Sequence, residues 1–154
     1  MDDGKGGPED NVVHFPPGRC TLDGDLGIIR IFWGDMEGPV TLAHAKEQIV
    51  AMRRLIRDGT IPALVDMRHV KGTSREARDY YAGPDLAALV SACAMVIGGN
   101  RVAAVIGNFM FALHSERLVP MKLFVEETDA IPWLLAFKRA EGRPHRKENA
   151  DSSP

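Results

Sequence analysis

Two short runs, residues 61–67 (IPALVDM) and 91–97 (SACAMVI), are almost entirely apolar. A strand with one face in water alternates apolar and polar side chains. A strand that is apolar throughout is buried on both faces. Runs of this kind need a helical layer on each side of a sheet. The chain supplies helices between them. Leu42, Ala45, Ile49, Met52 and Ile56 recur at spacings of three and four, which lines them along one helix face. Thr41 stands where an N-cap belongs, and Gly59 is placed to end the helix. Val102, Val105, Ile106, Phe109 and Leu113 form a second stripe, in a helix entered through Gly98-Gly99-Asn100.

The remaining elements follow the same alternation. Residues 19–33 read as a hairpin with a turn at Asp23-Gly24, and its second arm (GIIRIFW) is rich in β-branched and aromatic residues. Thr73 and Glu76 have the spacing of a capping box that opens a short helix. Gly83-Pro84 ends that helix and starts a further short turn through Leu89. MKLFV is a last strand, and EETDAIPWLLAFKRA a last helix. Pro132 is tolerable only near a first turn, so that helix starts at Glu127 or later. The order predicts an α/β domain: a small, mostly parallel sheet with an N-terminal antiparallel hairpin and alternating helices. Of the 154 residues, 45% are hydrophobic, enough for one core. The core domain is placed at residues 13–140, between polar tails at 1–12 and 141–154.

Several function classes are excluded as expectations. A net charge of −2 does not mark a nucleic-acid binder. No uncharged run reaches the roughly 20 residues of a spanning helix. The acidic, glycine-rich start has no signal-peptide core, so a soluble, cytoplasmic protein is expected. Two distant cysteines, Cys20 and Cys93, make no disulfide framework and read as reduced thiols. His14, His44, His69, His114 and His145 are scattered without metal-ligand spacing. No cofactor motif and no nucleophile beside a base is visible, so no catalytic residue, metal or cofactor is assigned. Asp66, at the end of a buried strand, reads as a cap on the loop that follows.

Two places carry candidate site residues. Thr73 and Ser74 begin a helix beside Lys71, Arg75 and Arg78. They read first as caps and second as phosphorylation sites, since a phosphate there would meet the positive helix end. Gly98, Gly99, Asn100 and Arg101 form a strand-to-helix turn, with Asn108 two helical turns on from Arg101. Converging backbone N–H groups at such a turn suit a small anion, a nucleotide or a lipid headgroup. The consecutive Ile31, Phe32 and Trp33 cannot all face one core, so one of them looks outward or into an interface.

An Asp closing a buried strand, then eight residues to a Ser at a helix start, resembles the STAS domains of bacterial anti-sigma-factor antagonists. The second half is similar to an uncharacterised bacterial branch of STAS-like proteins. The matching residues are Asn108-Phe109, Pro120, Phe124, Glu126-Glu127, Ala130 and Trp133-Leu134. The likeness covers roughly residues 20 to 138. It implies a non-catalytic regulatory domain that binds a protein partner or itself as a homodimer. The STAS phosphorylation loop has an Asp before its Ser and a Gly after it. Here the stretch is KGTSREA, with Lys71 and Arg75 flanking Ser74. A broad fold likeness to lipid-cradling proteins implies the alternative, a small anionic or lipid ligand in an apolar pocket.

Overall fold

The computed structural model describes residues 11–99 and 118–142. Its strands lie in one sheet in chain order: β1 (Val12–Phe15), β2 (Gly18–Asp23), β3 (Ile28–Phe32), β4 (Ile61–Asp66), β5 (Val90–Val96) and β6 (Met121–Phe124). β1, β2 and β3 are antiparallel neighbours, and β3 through β6 are parallel. The described helices are α1 (Leu42–Leu55), α2 (Arg75–Tyr81), α3 (Pro84–Ala87) and α4 (Glu127–Gly142). The fold class expected from the alternating runs is the one observed.

The boundaries shift at both ends. Val12 belongs to β1, not to a tail, and Glu141 and Gly142 belong to α4. The outer strand β1 pairs in register with β2, Val12 opposite Thr21 and Phe15 opposite Gly18. Pro16-Pro17 turns the chain between them, through a cis peptide bond. The Asp23-Gly24 turn occurs where expected but is longer. The Asp23 carboxylate accepts from Leu26 N–H at 3.0 Å, and its carbonyl accepts from Gly27 N–H at 2.8 Å. The left-handed residue is Gly27, at φ 71°.

The period of two sorts the strands onto two layers. Ile29, Ile31, Ala63, Val65 and Cys93 face α1, α2 and α3, where they meet Ala45, Ile49, Met52, Ala77 and Leu86. Ile28, Leu64, Ala92, Ala94 and Val96 face the other way, toward Ala130 and Leu134 of α4. Burying a leucine such as Leu134 stabilises by about 1.5–3 kcal/mol. Arg30 points to the α4 side and binds Asp23 at 3.1 Å and Glu127 at 2.8 Å. Among Ile31, Phe32 and Trp33, Phe32 turns to the α4 side. There the Arg19 guanidinium covers its ring at 4.4 Å. Trp33 is buried edge-on against Phe15, with ring centroids 4.9 Å apart.

Two helix ends differ from the sequence reading. α1 begins at the Thr41 cap as expected, with His44 Nδ1 accepting from Thr41 N–H in return. It ends at Leu55, before Gly59, whose φ of 66° serves the following loop. α2 is capped one residue later than the Thr73–Glu76 spacing indicates. Ser74 Oγ accepts from Ala77 N–H at 3.1 Å, so Glu76 is not at the reciprocating position. Thr73 instead bridges Val40 in a short parallel pairing, which holds the starts of α1 and α2 side by side. Pro132 is the sixth residue of α4, a turn deeper than its missing N–H prefers. Both Pro132 and Thr128, whose carbonyl loses that bond, are exposed. Ser74→Ala is expected to cost about 1 kcal/mol, read as a lowered urea midpoint with an unchanged slope.

Candidate functional site

On the α1–α3 side of the sheet lies a cavity of about 270 Å³. Its floor is Ile31 and Trp33 of the β3 end, Ala63 and Val65 of β4, and residues of β5 and β6. Gln48 of α1, Tyr81 of α2 and Leu86 of α3 close it from above. The walls are mostly aliphatic and sulfur-bearing, including Cys93, Met95 and Met121. Four polar side chains, Gln48, Thr73, Arg78 and Tyr81, stand among them. This is the usual make-up of a small-molecule site: apolar walls and a few placed polar groups.

Gln48 is the decisive residue. It is 3% exposed. Its place between Ala45 and Met52 is on the core stripe of α1, where an aliphatic side chain would pack without polar penalty. The Tyr81 hydroxyl donates to Gln48 Oε1. The amide N–H donors of Gln48 have no protein acceptor among the described residues.

Two ionisable groups of the wall, Tyr81 and Cys93, are held neutral. Burial pushes the Tyr81 phenol far above its ordinary range, and the neighbouring Cys93, Tyr80 and Cys20 push in the same direction. Burial alone pushes the Cys93 thiol up to about 12. A thiol at that value is not a nucleophile at neutral pH. Cys20 is buried likewise, its thiol pushed up to about 12, and both cysteines are unbonded. Arg78, exposed at the rim, donates from Nη1 to the Thr73 carbonyl at 2.6 Å. The arrangement can seat and orient a molecule, and among the described residues its lining offers no base and no activated nucleophile.

A second depression of about 320 Å³ lies between β1 and the outer side of α1, near Val13, Lys46, Val50 and Arg54. It is larger, but it is open to solvent and carries opposite charges on its rim. Among the described residues no three His, Cys, Asp or Glu side chains are placed to share a metal ion. No described helix is long and apolar enough to cross a membrane.

The candidate residues from the sequence fall in different places. Thr73 lines the cavity, and Ser74 is occupied as the α2 cap. Gly98 and Gly99 lie after β5 with φ of 72° and 55°. A Cβ on Gly98 would stand 3.1 Å from Arg68 Cγ. Neither glycine lines the cavity. Asn100, Arg101 and Asn108 lie outside the described residues, as do Phe109 and the helix expected through Leu113. Gln48 and Tyr81 were not singled out from the sequence. The signal for Gln48 was a polar residue at a stripe position of α1.

Asp66 does cap its loop. It accepts from Arg68 N–H at 3.1 Å and holds the Arg68 guanidinium through both oxygens, at 3.0 and 2.7 Å. That guanidinium holds the Asp66 carboxyl below its ordinary value of 3.8, more than partial burial raises it. A carboxyl lowered in the folded state contributes stability above its unfolded value and loses it as pH falls through the folded one. Asp66→Asn is expected to flatten the fall in urea midpoint as pH drops below about 4. At neutral pH its midpoint should lie below that of the wild type.

A family model described as a domain of unknown function (DUF7793) matches residues 26–138. The chain belongs to this family. The matched region of DUF7793 runs from the β2–β3 turn into α4, so it takes in the cavity and both covering layers. It leaves out β1 and all but the last residues of the path that brings the chain to β3. No curated protein and no solved structure matches the chain.

Proposed function

We propose that this DUF7793 chain is a non-catalytic binding domain that takes a small, largely apolar molecule into the cavity between β3–β6 and α1–α3. The cavity itself carries the reading. Its 270 Å³ is room for about nine heavy atoms at the roughly 30 Å³ that a water molecule occupies in the liquid. The neutral state of Tyr81 and Cys93 supports binding over catalysis. A protein-docking role, the expectation from the STAS likeness, has less to rest on. Among the described residues the large apolar side chains standing in solvent are Val50 and Leu118, and scattered single side chains do not make an interface.

Trp33 lines the cavity, whereas Trp133 packs with Phe124 and Phe137 on the α4 side. In a Trp133→Phe background, a short brominated hydrocarbon is expected to quench Trp33 emission saturably, at one site per chain. Quenching that only rises linearly with probe would be collisional, and would overturn the reading.

A further inference from the structure

Gln48 is the one polar side chain fully buried among the described residues. Its carbonyl is taken by Tyr81, and the amide N–H groups remain. The α1 stripe gives no packing reason for an amide there. Arg78 also lines the cavity and uses one Nη1 donor on Thr73; a guanidinium carries five donors and no acceptor. Both side chains therefore have hydrogen left to offer an occupant. Cys93, Met95, Met121 and Leu123 offer only apolar and sulfur surface.

We infer that the cavity's ligand is an apolar molecule that ends in a carbonyl or carboxylate oxygen held by the Gln48 amide N–H, and that Arg78 at the rim pairs with the charge where the head is a carboxylate. The inference rests on the proposed function and names the ligand's chemistry. The tail lies along β5 and β6, where methionine side chains adapt to its shape.

The test titrates the labelled full chain with octanoate, 2-nonanone and n-butylbenzene, each of about ten heavy atoms. The two oxygen-bearing probes are expected to bind about tenfold more tightly than n-butylbenzene, a hydrogen bond's worth. They alone should shift the side-chain NH₂ resonances of Gln48. Gln48→Leu should bring 2-nonanone down to the affinity of n-butylbenzene, while n-butylbenzene still binds. Arg78→Ala should weaken octanoate and leave 2-nonanone unchanged; equal weakening of both would overturn Arg78's place at the head. Equal affinity of all three probes for the wild type, with Gln48 unshifted, would overturn the head-group inference and leave the cavity reading standing. That ranking needs no variant, so a Gln48→Leu chain that fails to fold does not shield the inference. No saturable binding of any probe would overturn both.

Discussion

Ala63→Ile is expected to abolish uptake of apolar probes and to raise the unfolding free energy by about 2 kcal/mol. Ala63 is wholly buried at the middle of β4, between Ile29 of β3 and Cys93 of β5. Its side chain is part of the cavity floor. Isoleucine adds three carbon atoms there, each worth about 0.8 kcal/mol when buried. Its branched Cβ suits a strand. In a close-packed interior the same enlargement would destabilise by about 1–3 kcal/mol, through displaced neighbours. The sign of the change therefore reports whether the space beside Ala63 is empty or filled. Urea unfolding gives the sign, and a probe titration on the same sample gives the binding. A variant that is less stable and still binds would contradict both parts.

Gly18→Ala is expected to cost at least about 4 kcal/mol, beyond the range of ordinary substitutions. A Cβ at Gly18 would stand 1.9 Å from the Phe32 carbonyl oxygen and 3.2 Å from Phe15 Cζ. The first contact is with backbone of β3, which cannot yield without breaking the β2–β3 ladder at Arg19 and Phe32. Loss of that end of the ladder also frees Phe15, which packs on Trp33, so the cavity floor loosens with it. A large drop in the denaturant midpoint together with weakened probe binding is expected. A change within about 1 kcal/mol would show that the hairpin and β3 do not approach this closely.

Both residues bear on how much was legible in the chain. β4 and β5 were legible because a strand buried on two faces cannot hide its composition. α1 was legible because a stripe of five apolar residues has one period only. β1 was not: VVHF is four residues long and runs into Pro16-Pro17, too short a stretch to show a period. Its pairing with β2 depends on the close approach at Gly18, a tertiary fact. The cap of α2 moved from Thr73 to Ser74 because Val40, more than thirty residues earlier, takes Thr73 into a bridge. The site was less legible than the fold. Asp66 was read correctly as a loop cap; Gly98 and Gly99 were read as a turn, and their left-handed backbone was not. The cavity is assembled from positions far apart in the chain. Gln48 and Tyr81 are 33 residues apart, and no local spacing joins them. What the sequence did hold was one anomaly, an amide on an apolar stripe.

The most direct measurement is native mass spectrometry of the wild-type chain and A63I side by side, each with 2-nonanone added. The expected result is one probe bound per wild-type chain and none on A63I, with both returning to their sequence masses on denaturation. Equal occupancy of the two chains, or a wild type that stays bare at saturating probe, would contradict a binding cavity on the α1–α3 side of the sheet.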